Sequence, residues 1–178
     1  MDTLLLAGRI MSATAGVFSV ILLAFIARKL ISNSAGIVAS ALLAFAPLHV
    51  TVSRYVKEDA LLLFFILVAV YLAIYAVKEK KPALLLLAGV ICGFSAGVKY
   101  TGLISVVIVL AAPLLDKENF KVNLKYAFFA AAFVPIGLLL VSPYIVLDSA
   151  TFWKDFNYER SHMSVSYTHL TLPTKRIV

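Results

Sequence analysis

The feature that most constrains this chain is a succession of apolar runs, several near the length of a bilayer crossing though Thr101–Leu115 is short, separated by short charged gaps. They fall at about Met11–Ala27, Gly36–Val52, Ala60–Val77, Pro82–Val98, Thr101–Leu115 and Tyr126–Leu147. Crossing a ~30 Å hydrocarbon core takes about 20 apolar helical residues. Ala60–Val77 alone carries twelve Leu, Ile, Val or Phe side chains, which favour insertion by about 4–7 kcal/mol on translocon scales. The length and hydropathy of the runs predict transmembrane helices. The expected fold is all-α, a polytopic transmembrane helical bundle of about six spans.

Composition agrees. Of the 178 residues, 62% are hydrophobic and 14% charged, against roughly 45–50% and 25% in soluble domains. No soluble core of this size buries that much apolar surface. The net charge of +7 would suggest nucleic acid in a soluble protein. Here the basic residues sit in the gaps, where they set orientation instead, and no nucleic-acid partner is expected. Arg28 and Lys29, then Lys78, Lys80 and Lys81, then Lys117, Lys121 and Lys125 fall in alternate gaps. The intervening gaps hold Arg54, Lys57 and Lys99, with Lys154 and Arg160 after the last run. The positive-inside rule puts the first set in the cytoplasm and the second outside. The lone cysteine, Cys92, can form no internal disulfide.

Met1–Ile10 has no basic n-region of a secretory signal. An outward start without a signal is expected if a span and its outer loop lie upstream. From Ser166 the composition changes abruptly and resembles translated sequencing-adaptor read-through. We therefore expect a partial membrane domain over 1–163 and a non-native tail over 164–178.

Candidate chemistry lies on the outer side. In Ser53-Arg-Tyr-Val-Lys-Glu-Asp59, continued helical turns would put Arg54, Lys57 and Glu58 on one face. Asp59 would open the next helix, where the unpaired amides favour a carboxylate. The bland alternative is a solvated turn with an N-capping acid. Lys99 interrupts an otherwise apolar stretch from Pro82 to Leu115. A charge at mid-bilayer costs about 2.5–3.5 kcal/mol, so it usually faces a polar cavity or a partner. Its alternative is a snorkelling lysine with Tyr100 as interface anchor. Gly97 and Gly102 flank it and would let a lipid phosphate come close. Arg9, just before the first run, is an interfacial arginine or a headgroup contact. His49, near a span end, reads as structural. Trp153, Phe156 and Tyr158 suggest a helix lying in the interface or an aromatic belt. His162 is isolated and makes no metal site.

Several segments, in order, resemble the GT-C class of membrane glycosyltransferases, in the branch of protein O-mannosyltransferases and lipid A aminoarabinose transferases. Gly8-Arg-Ile-Met-Ser12 is similar to the arginine-containing start of the family's second helix. Ala46-Pro-Leu-His-Val50 and the turn through Asp59 look like its proline-ended helix, basic turn and following acid. Gly89 to Gly93, then Val98-Lys-Tyr-Thr-Gly102, resembles its glycine-rich helix and lysine turn. Ser142-Pro-Tyr-Ile-Val-Leu-Asp148 resembles the segment after the seventh helix. The likeness covers about residues 5–163.

The resemblance implies a transferase taking a sugar from a polyprenyl-phosphate carrier on the outer face of a prokaryotic cytoplasmic membrane, to a protein, lipid or glycan acceptor not identified by sequence. It implies a general base in a first outer loop upstream of Met1, so this piece alone is expected to be inactive. Asp59 matches a second acidic position with a supporting role. Lys99, Arg54 and Lys57 are the candidates for the donor phosphate, with Arg9, Tyr100 and Glu58 as secondary candidates. No cofactor is evident and no ligand cluster for a metal is visible, although some relatives use a divalent ion. A transporter or lipid flippase is the rival; it predicts charges at mid-membrane on several helices or symmetric broken helices. Only Lys99 comes close.

Overall fold

A computed structural model describes residues 2–168, and the side chains of 3–161. The described backbone is mostly helical, with no strand. It divides into two compact units, one up to Val141 and one from Ser142 onward. Residues 169–178, most of the expected tail, lie outside the described residues.

The first unit holds α1 (Asp2–Leu30), α2 (Asn33–Ala44), α3 (Pro47–Arg54), α4 (Glu58–Lys78), α5 (Leu84–Val98), α6 (Ser105–Ala111) and α7 (Phe120–Val141). A 3₁₀ turn, Tyr100–Ile104, leads into α6, and another, Ala112–Leu115, leaves it. All six predicted apolar runs fall mainly on helices. Three helices (Thr3–Leu30, Glu58–Lys78 and Phe120–Val141) are long and apolar enough to cross a membrane. The pair α2 and α3 makes up to a fourth, bent by 60°. Leu84–Val98 and Tyr100–Leu115 are shorter apolar segments.

Three of the runs differ most from expectation. The first extends well before Met11, so Arg9 lies inside α1 and not ahead of it. Gly36–Val52 is broken, not continuous. Ala46, preceding Pro47, is extended at φ −64° and ψ 121°, because a proline ring disfavours helical backbone in the residue before it. Pro47 then starts α3, where its missing N–H costs nothing. The last run begins earlier, at Phe120, and stops at Val141, just before Ser142-Pro143. Pro135 lies inside α7 without ending it.

Local chemistry fixes the other ends. Ser32, in extended conformation, caps α2 by accepting from the Ala35 amide at 3.2 Å. At the end of α4, Lys80 adopts φ 56°. The Lys81 amide donates to Ala76 O and the Lys80 amide to Val77 O, a Schellman closure with lysine where glycine is usual.

Helix directions follow from the cross-helix pairs. Phe18 meets Phe64 and Phe25 meets Tyr71, so α1 and α4 run parallel. Lys99, after α5, reaches Asp59, at the start of α4, so these helices are antiparallel. Gly89 and Gly93 of α5 lie against the backbone of Ala130, Val134 and Gly137 of α7, again parallel. Added methyls there would strike backbone, so small residues let α5 and α7 approach as the Gly-xxx-Gly spacing does in membrane helices. The core lies along this seam, among Ala69, Ala73, Ala76, Leu85, Ala88, Cys92, Ala127 and Ala130. The chain thus alternates direction and sends its gaps to two ends. One end gathers Lys29 with Glu79, and Lys81 beside Tyr75. The other gathers the turn 55–59 and Lys99.

The second unit has a short helix α8 (Tyr144–Leu147) and α9 (Ser149–Thr168). Asp148 caps α9 by accepting from the Thr151 amide at 3.3 Å. Phe152, Trp153 and Phe156 form one aromatic cluster, and Trp153 and Tyr158 stay exposed.

Candidate functional site

The site is built where α4 starts and α5 ends. α3 stops at Arg54, and Tyr55 and Lys57 are extended. Helical turns therefore do not continue through 53–59, and Arg54, Lys57 and Glu58 do not share one face. α4 begins at Glu58, capped from Lys57 by backbone alone, with Glu58 and Asp59 in its first turn. Asp59 is not the N-cap; it gains from the helix dipole and turns its side chain to a partner.

That partner is Lys99. Its Nζ donates to Asp59 Oδ1 at 2.8 Å and lies 3.3 Å from Glu58 Oε1. About a third of the lysine side chain is exposed, so the cluster sits at the rim of the unit. Lys99 is therefore a paired charge. The hydrogen bond to Asp59 raises its pKa above the ordinary lysine value, with desolvation opposing.

The backbone of Lys99 is clamped on both sides. Its amide donates to Ser95 O at 3.1 Å, and its carbonyl accepts from the Gly102 amide at 2.8 Å. Beneath it Ser95, fully buried, bonds Cys92 O, Gly102 O and Ser105 Oγ at 2.8, 3.0 and 3.0 Å. This hydroxyl ties α5, the 3₁₀ turn and α6 together. Gly102 lacks a side chain because the Ser95 carbonyl and Leu62 occupy that space. It serves packing, and opens no approach for a phosphate. Tyr100 starts the 3₁₀ turn with its ring half exposed.

Arg54 goes elsewhere. It lines a cleft of about 430 Å³ with Arg9, Ala13, Val50, Thr51, Ser53 and Tyr55. Two guanidinium groups thus share one cleft between α1 and α3. No ion pair joins Arg54, Arg9 or Lys57 to a carboxylate among the described residues. The cleft and the Lys99 cluster lie at the same end of α1: Val56 packs on Gly8, and Ser12 Oγ donates to Lys57 O at 3.5 Å. Lys57 contributes this carbonyl, while its side chain is exposed. Gly16 leaves room for Ser53 and His49. His49 is buried, and its Nδ1 and the Ser53 hydroxyl have no hydrogen-bond partner among the described residues.

Sequence reasoning missed Thr51, Ser53 and Tyr55 as cleft-lining groups, and Ser95 as the anchor of the lysine turn. The i, i+4 spacing of His49 and Ser53 on a proline-started helix was the available signal.

No three His, Cys, Asp or Glu side chains gather to hold an ion among the described residues, and Glu58 and Asp59 both face an ammonium.

The described residues form an all-helical bundle with candidate membrane spans, and carry paired and unpaired basic groups at one end. A family model described as dolichyl-phosphate-mannose-protein mannosyltransferase matches residues 5–156, and the chain belongs to this family of membrane glycosyltransferases. No curated protein and no solved structure matches the chain. The transporter or flippase reading gains nothing from this match, and the charged groups cluster at helix ends.

Proposed function

We propose that this end of the bundle forms the donor-phosphate side of a mannosyl transfer from a polyprenyl-phosphate carrier, on the outer face of a prokaryotic cytoplasmic membrane. The observation that carries the reading is the division of labour between two neighbouring groups. Arg9 and Arg54 share a cleft free of carboxylates, while Lys99 is held by Asp59 and Glu58.

In such a transfer an acceptor hydroxyl attacks the anomeric carbon. The new C–O bond forms as the bond to the carrier phosphate breaks, and the phosphate leaves with the bonding electron pair. A base takes the hydroxyl proton; the resemblance assigns that base to an upstream outer loop. Arginine suits a phosphate because its planar fork pairs two oxygens at once. Arg54 and Arg9 therefore seat the donor phosphate, and the exposed Lys57 adds charge at the mouth. Lys99 supplies a donor toward the leaving oxygen where negative charge develops. Asp59 orients that ammonium, with Glu58 in support. The family name favours a protein hydroxyl as acceptor.

The test is transfer of labelled mannose from a polyprenyl-phosphate donor by membranes carrying the chain within its complete reading frame. Lys99→Ala should cut turnover by about 100-fold or more, the scale for one preorganised charge-stabilising donor, with membrane insertion unchanged. Unaltered turnover would return Lys99 to a purely structural ion pair.

A further inference from the structure

At the opposite end of α1 and α4 lies a second cleft, of about 280 Å³, lined by Phe25, Arg28, Lys29, Tyr71 and Tyr75. We propose that it binds the phosphate headgroup of an anionic phospholipid, a site separate from the transfer centre.

The basic groups there are held in place. Arg28 Nε donates to Asn33 Oδ1 at 3.1 Å, which fixes the guanidinium and leaves its two terminal nitrogens as the fork for a phosphate. Lys29 pairs with Glu79. The ammonium groups of Lys29 and Lys81 lie 5.2 and 5.9 Å from the centre of the Tyr75 ring, within cation–π range. Three cations thus surround the rim against one carboxylate, so the cleft keeps a positive excess even with Lys29 paired.

The rest of the lining says what kind of anion fits. Tyr71 stacks on Tyr75 with ring centres 5.9 Å apart, and Phe25 meets Tyr71 at 6.5 Å. Phe25 is half exposed, and Leu30 and Ile31 next to the rim are also exposed. A water-soluble phosphate would use only the basic rim. A phospholipid uses both parts, its phosphate on Arg28 and its glycerol and acyl portions along the aromatic wall. Basic pockets between membrane helices recognise anionic headgroups by the same division.

The experiment uses the whole chain purified in a neutral maltoside micelle, where no charged leaflet contributes. It is titrated with phosphatidylglycerol or phosphatidylcholine, and bound lipid is counted by native mass spectrometry. Phosphatidylglycerol should be retained over phosphatidylcholine. Arg28→Gln should weaken that retention about fivefold, one basic contact's worth at a membrane surface. Arg28→Lys, which keeps the charge and loses the fork, should fall between. Lys121→Gln removes an exposed charge elsewhere and should change nothing. Equal retention of the two lipids, or equal loss in Arg28→Gln and Lys121→Gln, overturns the proposal. So does displacement of the lipid by equimolar glycerol 3-phosphate, which would make the cleft a soluble-anion site. None of these readouts depends on glycosyl transfer.

Discussion

Lys99 and Asp59, forty residues apart in sequence, meet through a 2.8 Å hydrogen bond that joins the end of α5 to the first turn of α4. The contact joins two antiparallel helices at one end of the bundle, so it can both close the fold there and aim a cation. The two roles separate in a double-mutant cycle. If Asp59 acts by orienting Lys99, Asp59→Asn and Lys99→Gln should each lower mannose transfer, and the double variant should lose little more than Lys99→Gln alone. Additive losses in the transfer assay would mean that the carboxylate acts on the substrate independently.

The same pair fixes a pH dependence. The folded pKa of Lys99 is raised above 10.5 by its bond to Asp59. The stabilisation is therefore fully present below the ordinary lysine value and is lost as pH rises through the folded one. Thermal unfolding in detergent should show no alkaline loss from this joint between pH 7 and about 10. Above that range wild type should fall toward Lys99→Gln. Asp116 behaves oppositely. Hydrogen bonds from Asn119 hold its carboxyl below 3.8, so its contribution is present above that value and disappears as pH falls through the lower folded one.

Ser95→Ala tests what holds the lysine turn. The substitution leaves Gly102 O and Ser105 Oγ without their shared partner in a buried position. Gly102 O keeps the Ser105 amide, so the cost is that of a net hydrogen bond, about 0.5–1.5 kcal/mol. The variant should melt lower in detergent and become more sensitive to proteolysis near Tyr100. An unchanged melting temperature would show that another group restrains the turn.

Much of this fold was legible because lipid leaves the backbone few choices. The apolar runs gave every helix of the first unit, and the charged gaps gave its two ends. The break at Ala46-Pro47 was visible as a proline, but the 60° bend between α2 and α3 depends on how both pack on α1. The site was legible by residue type and not by partner. Arg9, Arg54, Asp59 and Lys99 all stood out as charges against an apolar background, yet nothing in spacing distinguishes a shared cluster from two neighbouring ones. That separation is set by the extended residues Tyr55 and Lys57, which turn Arg54 toward α1 and Asp59 toward α5. Ser95 was illegible because a serine in an apolar helix looks the same whether it bonds its own turn or bridges to another segment.

The packing of α5 on α7 gives a prediction independent of chemistry. A methyl at Gly93 would meet the backbone of Val134, Leu138 and Gly137, the Leu138 amide nitrogen at 2.6 Å. Backbone cannot rotate away as a side chain can, so the helices must separate. Overpacking of this kind costs about 1–3 kcal/mol. Gly93→Ala should lower the melting temperature in detergent, whereas Lys80→Gly, which relieves a left-handed lysine, should raise it slightly.

The two arginines make the sharpest demand on the proposed chemistry. If Arg9 and Arg54 hold the donor phosphate in both the ground and transition states, losing either weakens binding more than the chemical step. Arg54→Gln should then raise the KM for the polyprenyl-phosphate donor about tenfold or more, with kcat changed much less. That scale follows from losing one charged hydrogen-bonding partner of a phosphate, about 1.5–3 kcal/mol. Arg54→Lys should recover only part of the loss, since an ammonium keeps the charge without the planar fork. Lys99→Gln should show the reverse split, with kcat falling and donor KM little changed, because its donor is needed where charge develops on the leaving oxygen. Equal effects of Arg54→Gln and Lys99→Gln on both constants would merge the two groups into one phosphate site. A fall in kcat alone for Arg54→Gln would move the seat of the phosphate away from the Arg9 cleft.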